Sequence, residues 1–200
     1  MPPTTRDQLL AAATALFAER GFYGVSIAHI ANEVGLTKQA LLHHFSTKEK
    51  LYGDVLETIS GDLDDLRADA LSISSDPTAQ LQTFLRAMAR RDRASTIRSR
   101  LLMRELLDNK RRADTAGVWY LKPFLENLVL MMQRLPAWKG VSDSVALAAV
   151  YQLLGAINYY AVSEPTLSGI LGGQRYGELD RAFGGQLDRT IAQVLTRSSE

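Results

Sequence analysis

The fold of this chain is decided by residues 26–45, from Ser26 to Phe45, whose sequence is SIAHIANEVGLTKQALLHHF. Ser26 and Thr37 each precede a short run with apolar residues at helical spacing, so each is predicted to be the N-cap of a short helix. Gly35 lies between the runs and can adopt the positive φ that a tight turn requires. Two short helices joined by such a turn form a helix-turn-helix, in which the second helix is exposed.

The apolar residues of this stretch predict the core of the motif. They recur at the spacing that places side chains on one helical face. We expect a core made of Ile27, Ile30, Ala31, Val34, Leu36, Leu41 and Phe45, together with Phe17 and Phe22 from the preceding segment. Small Ala31 allows the second helix to approach closely.

The outward face of the second helix predicts contacts with nucleic acid. If Leu41 and Phe45 point inward, a rotation of about 100° per residue turns four other side chains outward. These are Gln39, Ala40, Leu42 and His43. An amide can pair bidentately with adenine, and an apolar side chain can contact the thymine methyl group. Thr37 and Lys38 at the helix start, and Lys48 at the start of the following helix, suit phosphate groups.

Helical periodicity continues on both sides of the motif. A first helix is predicted to begin after Thr4 or Thr5 and to end before Gly21, and another starts near Lys48 and continues past Leu66. Beyond it the periodicity predicts helices over residues 78–92, 95–109, 114–134, 142–163 and 177–197. Residues 165–176, with three glycines and a proline, predict a mobile loop. The chain is therefore expected to be all-α, with domains at 1–60 and 61–200.

Residues Thr5 to Ile59 resemble the DNA-binding domain of the TetR (tetracycline-repressor-like) family of transcriptional regulators. The order and spacing of many residues carry the resemblance over more than fifty positions. These are Arg6, Leu9, Ala12, Ala13, Leu16-Phe17, Gly21-Phe22, Ser26, Ile30-Ala31, Gly35, Thr37, Lys38, His44-Phe45, Lys48-Glu49 and Leu51. The resemblance implies a regulator of transcription, most often a repressor that a small-molecule effector releases from its operator.

The resemblance also implies which residues lie at or near DNA. Combined with the outward face described above, the predicted DNA-binding set is Ser26, Thr37, Lys38, Gln39, Ala40, Leu42, His43, His44 and Lys48. Two positions depart from the family pattern. Leu42 stands where the family usually has Tyr and cannot make the phenol's hydrogen bond to phosphate. Gln39 stands where small residues are common, so it is expected to contribute sequence preference.

From about residue 60 onward, the resemblance implies an effector-binding domain that forms a homodimer through its last two main helices. We interpret Gly184-Gly185 as a place of close helix approach, with a simple kink as the alternative. Polar groups that interrupt apolar helices are candidate pocket residues. They are Arg104, Trp119, Tyr120, Asn158, Tyr159 and Tyr160, for which ordinary core positions are the alternative. Pro123 removes a hydrogen bond to the Trp119 carbonyl, which could then face a ligand.

Composition and charge exclude several classes of protein. The 200 residues contain no cysteine, which excludes a disulfide scaffold and a thiolate metal site. Net charge is +1, and residues 1–60 carry five Lys/Arg against six Asp/Glu, so a single DNA-binding domain is expected to bind weakly. A dimer that spans two half-sites would supply the remaining affinity. The basic run 86–112 is expected to pair with other helices or to be solvated, with an anionic-ligand site as the alternative.

Two further alternatives concern membranes and catalysis. Residues 144–163 carry no charge and could just span a bilayer, but their polar residues and the absence of a flanking basic cluster favour a helix buried between helices or subunits. The start of the chain has no apolar signal core, so a cytoplasmic location is expected. No catalytic or metal-binding motif is present, and we expect no enzyme activity, metal or cofactor. A helical ligand-binding or structural dimer without DNA function would leave the outward face of residues 39–43 unused.

Overall fold

The computed structural model describes residues 2–116 and 121–196, with side chains described for all of these except 108–116. The helices are α1 (Thr5–Arg20), α2 (Ile27–Glu33), α3 (Lys38–Phe45), α4 (Lys48–Ile73), α5 (Pro77–Met88), α6 (Arg93–Ala116), α7 (Lys122–Gln133), α8 (Asp143–Leu171) and α9 (Gly173–Thr196). A short 3₁₀ helix, Pro136–Trp138, follows α7. The described residues contain no β-strand, which agrees with the predicted all-α class.

The chain forms two compact units. The N-terminal unit consists of Met1–Asp62 and Arg100–Tyr120, and the C-terminal unit consists of Leu63–Ser99 and Leu121–Glu200. Helices α4 and α6 therefore each contribute residues to both units. The predicted functional division at residue 60, into DNA-binding and effector-binding domains, stays a prediction.

Side-chain caps set the helix starts in the N-terminal unit. Thr4 caps α1 through a capping box, in which its hydroxyl accepts the Asp7 N–H at 3.2 Å and the Asp7 carboxylate accepts the Thr4 N–H at 3.0 Å. Ser26 caps α2 by accepting the His29 N–H at 3.1 Å, and Thr37 caps α3 by accepting the Ala40 N–H at 3.2 Å. Gly35 has φ +71°, so the predicted caps and turn are confirmed.

The core of this unit is close to the predicted one. Six of the nine predicted residues are buried, namely Phe17, Phe22, Ile30, Ala31, Leu41 and Phe45. Ile27, Val34 and Leu36 are only half-buried, because they lie at the margin of a small motif. Tyr52 joins the core from α4, with its ring edge-on to both Phe17 and Phe22 at centroid distances of 5.0 and 5.1 Å.

The C-terminal unit is held together mainly by α8, which packs against α7 and α9, and by α5, which packs against α9. The Trp138 indole N–H donates to the Val194 carbonyl at 3.0 Å and joins the 3₁₀ helix to α9. An 18-residue window of α8 has a mean hydropathy of 1.5, so α8 is long and apolar enough to span a bilayer by length and composition alone. However, 44% of that window is buried inside the protein, where α8 packs against α7 and α9.

The predicted loop over residues 165–176 is wrong. Helix α8 continues through Pro165 to Leu171, ends at Gly172 with φ +75°, and α9 starts at the next residue. A proline inside a helix removes one backbone hydrogen bond and strains the preceding turn, but it does not by itself end a long helix whose earlier part, from Ala146 to Ala161, is buried in the core. The glycine-rich segment thus forms a tight corner between two long helices.

The predicted breaks around α6 and α7 also need correction. Helix α6 runs without interruption to Ala116, so the predicted break between residues 109 and 114 is wrong. Helix α7 begins at Lys122, with Pro123 in its first turn. There the missing N–H of proline has no intrahelical partner to lose, and the fixed φ favours a helix start. Trp119, whose carbonyl was expected to be freed by Pro123, lies outside the described residues.

Candidate DNA-binding surface and effector cavity

The candidate DNA-binding surface of the N-terminal unit is centred on α3. Gln39, His43 and His44 are exposed, and Ala40 and Leu42 are half-buried at the edges of the face. Leu41 and Phe45, on the opposite side, are 0% and 1% exposed. The structure therefore brings the predicted outward residues of the second helix together on one accessible face.

The start of α3 adds groups that suit an anion. Thr37 and Lys38 are exposed there, and backbone N–H groups at a helix start point outward with the positive end of the helix dipole. Ser26 is exposed at the start of α2, although its hydroxyl is already used to cap that helix. Among the described residues, Lys38 has no ion pair or hydrogen bond from its side chain.

The other cations of residues 1–60 are held by partners. Arg6 and Lys50 both bind the carboxylate of Asp54, the latter at 2.6 Å, and Asp54 is only 5% exposed. Arg6 also lies over the Phe45 ring at 4.9 Å and so connects α1 to the end of α3. Lys48 lies over the Phe22 ring at 4.3 Å. Apart from the Lys50–Asp54 pair, which spans one helical turn, these contacts join residues 26 to 48 positions apart, and the sequence contained no signal for them.

Two of the predicted effector-pocket residues have other roles. The Arg104 guanidinium donates to the Ala18 carbonyl at 3.1 Å and to the Glu19 carbonyl at 2.6 Å, which caps the C-terminus of α1. Tyr159 is 68% exposed on α8. Neither residue lines the cavity of the C-terminal unit that is described below. Trp119 and Tyr120 lie outside the described residues.

Asn158 is buried, as is Tyr160 among the predicted pocket residues that the structure describes. It is 6% exposed, and its amide N–H donates to the Leu154 carbonyl at 2.9 Å. Its Oδ1 has no hydrogen-bond partner within the described part of the chain. A buried amide oxygen without a partner is uncommon, because the lost hydrogen bond to water is not replaced.

A cavity of about 220 Å³ lies between α5, α8 and α9 of the C-terminal unit. Its lining includes Ile157, Leu187, Tyr160, Phe183, Arg86 and Arg91. The Tyr160 and Phe183 rings stack at a centroid distance of 3.6 Å, and the Arg91 guanidinium lies 4.5 Å from the Tyr160 centroid. Burial raises the pKa of the Tyr160 phenol to about 12, and the nearby Asp180 carboxylate acts in the same direction.

Paired charges line the rim of this cavity. Arg91 donates to Asp180 at 2.5 Å and to the Tyr176 hydroxyl at 2.6 Å, while Arg86 pairs with Asp188 at 2.7 Å. The expected pairing of the basic run with another helix is confirmed for these two arginines, whose partners are on α9. The sequence pattern predicts Tyr160 as a pocket residue but gives no signal for Arg86, Arg91 and Phe183, since nothing in their local pattern shows that α5 and α9 meet.

This geometry of the N-terminal unit, an exposed second helix on a capped three-helix core, defines a helix-turn-helix protein. Comparison with known proteins shows which regulators this part of the chain is similar to. Residues 9–55 match the sequence model described as "Bacterial regulatory proteins, tetR family". The N-terminal part of the chain is thus similar to bacterial regulatory proteins of the tetR family over 47 of its 200 residues.

Named relatives are similar to part of the chain. The chain is 41% identical over 80 residues to the transcriptional repressor KstR2 of Rhodococcus jostii. This match covers 40% of the chain and 39% of the relative. It is 31% identical over 86 residues to the transcriptional regulator LmrA of Bacillus subtilis, with 42% and 46% covered. The chain thus spans less than half the length of these curated relatives.

Solved structures extend the likeness in fold to nearly the whole chain. The TetR-family regulator PfmR of Thermus thermophilus is 25% identical, with a TM-score of 0.61 and 94% of this chain and 97% of PfmR covered. The ketosteroid regulator KstR2 of Mycobacterium tuberculosis has a TM-score of 0.67 at 18% identity, with 100% and 98% covered. The named relatives are transcriptional regulators.

Proposed function

We propose that this protein is a sequence-specific, DNA-binding transcriptional regulator, and specifically a repressor that a small-molecule effector releases from its operator. One observation carries the proposal. The face of α3 exposes an amide, an imidazole and part of an aliphatic side chain above a fully buried core, beside a helix start that suits phosphate. A purely structural helix exposed to solvent would not require this combination of amide, imidazole and aliphatic side chains.

The side chains of α3 divide by chemistry into base contacts and phosphate contacts. Gln39, Leu42 and His43, with Ala40 beside them, face base edges in the major groove. Gln39 pairs with an adenine, and Leu42 contacts a thymine methyl group. Thr37, Lys38, His44, Lys48 and Ser26 bind the DNA backbone and set the register of the helix.

The protein acts as a homodimer, in which two copies of α3 occupy successive major grooves about one helical turn apart. The exposed apolar residues of α8 support this proposal. Val145, Tyr151, Tyr159 and Ile170 are 40 to 73% exposed along one helix, which is unusual for a surface without a partner. The nearly balanced charge of residues 1–60 also supports a homodimer. One such domain alone would bind DNA weakly, so two half-sites are needed for tight binding.

The effector binds in the C-terminal unit, at the cavity beside Tyr160 and Phe183. An apolar floor with a few charged groups at the rim is the usual composition of a small-molecule site. Asn158 does not line this cavity, so its buried Oδ1, which has no partner among the described residues, is not counted as part of the site. Effector binding favours a dimer geometry in which the α3 helices no longer match the groove spacing, with α4 as the connecting element. Like the regulators it resembles, the protein works in the bacterial cytoplasm.

The test is selection of bound sequences from random duplex DNA, followed by titration of the selected duplex at two salt concentrations. We expect an enriched palindrome and affinity that falls steeply with salt. The same selection with Gln39→Ala should relax preference at particular base pairs. Gln174→Ala makes the same chemical change at an exposed position of α9, and it should leave the base profile unchanged.

Two outcomes would contradict the proposal. A folded wild-type protein that enriches no sequence would exclude operator binding and favour a helical ligand-binding dimer without DNA function. An unchanged base profile for Gln39→Ala would remove that residue from base recognition while leaving the class of function intact.

A further inference from the structure

Lys48 is the first residue of α4, and its ammonium group is held on an aromatic ring. Its Nζ lies 4.3 Å from the centroid of Phe22. A cation at a helix N-terminus faces the positive end of the helix dipole, so α4 itself does not favour the charge there. Partial burial lowers the pKa of this lysine, while Glu49 beside it raises the pKa. The electron-rich face of the ring supplies attraction that the helix does not.

The ring that holds Lys48 is itself fixed by its surroundings. Phe22 is 7% exposed, it stacks on Phe17 at a centroid distance of 6.1 Å, and it meets the Tyr52 ring edge-on at 5.1 Å. Gly21, with φ +71°, ends α1 and turns the chain so that Phe22 enters the core. The platform for Lys48 is therefore part of the packed core of the N-terminal unit.

Lys48 differs from the neighbouring cations in what holds it. Arg6 and Lys50 are bound by the Asp54 carboxylate, which offsets their charge. The Phe22 ring carries no net charge, so it restrains the Lys48 ammonium without neutralising it. An ammonium group has three N–H donors, and contact with a ring on one side leaves donors for an anion on the other.

We propose that Phe22 is a positioning residue, which holds Lys48 in place for its contact with a DNA phosphate. This inference rests on the proposed DNA-binding function. The ring restricts a long, flexible side chain before DNA arrives, so that less conformational freedom is lost on binding. The side-chain ordering that is thereby avoided on binding corresponds to about a threefold gain in affinity per subunit, or about tenfold for a dimer with two such sites.

A double-mutant cycle on the selected operator tests this role. Phe22→Leu should weaken binding about tenfold when Lys48 is present. In the Lys48→Gln background the same change should have almost no effect, because no ammonium remains to be positioned. Phe22→Tyr keeps an aromatic face and should bind within about twofold of the wild type. Circular dichroism identifies a temperature at which every variant is fully folded, and binding is measured there.

The results separate positioning from a purely structural role. If Phe22 only supports the core, Phe22→Leu will weaken binding equally in both backgrounds, and the inference fails. It also fails if Lys48→Gln binds as tightly as the wild type. If Phe22→Leu does not fold, Phe22→Tyr and Phe22→Met are compared in its place. The inference then expects Phe22→Met, and not Phe22→Tyr, to lose operator affinity. A wild-type protein that selects no operator would overturn the proposed function together with this inference.

Discussion

Substitution of Arg104 distinguishes a helix cap from an effector contact. Its guanidinium reaches from α6 to the carbonyls of Ala18 and Glu19 in the last turn of α1, at 3.1 and 2.6 Å. These carbonyls have no intrahelical donor, and they form the negative end of the α1 dipole. Arg104→Gln removes the charge and shortens the side chain, so neither hydrogen bond can form.

The expected loss follows from this geometry. A cation at a helix C-terminus in a partly buried setting contributes up to about 2 kcal/mol. The two hydrogen bonds from the charged guanidinium give a similar stabilisation, because partial exposure to solvent reduces the contribution of each. We expect the free energy of unfolding to fall by about 2 kcal/mol, and the melting temperature to fall by about 4–8 °C for a chain of this size.

Urea denaturation of the wild type and of Arg104→Gln measures the change, and amide exchange in the last turn of α1 locates it. Arg100→Gln is the matched control, because Arg100 lies one turn earlier in α6 and has no hydrogen bond or ion pair among the described residues. Its effect should remain within about 0.5 kcal/mol. Equal stability of both variants, together with weaker effector binding by Arg104→Gln alone, would refute the capping role and restore the assignment made from sequence.

Three further predictions concern the turn, the dimer and the cavity. Gly35→Ala should lower the free energy of unfolding by about 1–2 kcal/mol. The loss comes from the backbone φ of +71° and not from a clash, because a Cβ at this position would meet no atom within 4 Å. Gly35→Asn should lower it clearly less, and equal losses for the two variants in urea denaturation would contradict this. Tyr159→Glu should shift the protein towards monomers in analytical ultracentrifugation, whereas Tyr159→Phe should remain dimeric. A Tyr159→Glu protein that stays dimeric would exclude this face of α8 from the dimer interface. Because the Tyr160 pKa is raised to about 12 in the folded protein, ionisation favours the unfolded chain, and stability should fall as pH rises from 10 towards 12. Tyr160→Phe should reduce that fall in urea titrations at high pH, and an identical pH profile would argue against the raised pKa.

The N-terminal motif was predictable in detail from short-range rules. Ser26 and Thr37 each accept an N–H three residues further on, and Gly35 supplies a backbone conformation that most residues avoid. The outward face of α3 follows from helical periodicity once Leu41 and Phe45 are assigned to the core. All of these features depend on interactions within a few residues, so the sequence by itself determined the class of fold and the candidate DNA-binding face.

Interactions between distant residues were decided only by the tertiary structure. Arg104 appeared suited to a ligand, but packing brings it to carbonyls more than 80 positions earlier. Tyr159 and Tyr160 are adjacent, yet one is exposed and the other lies in the cavity, because α9 covers only one side of α8. Helix α8 continues through Pro165, since packing of a long helix can outweigh the local cost of one lost hydrogen bond. Local pattern specifies what a residue can do, whereas the contacts that select among those roles arise only when separate helices pack together.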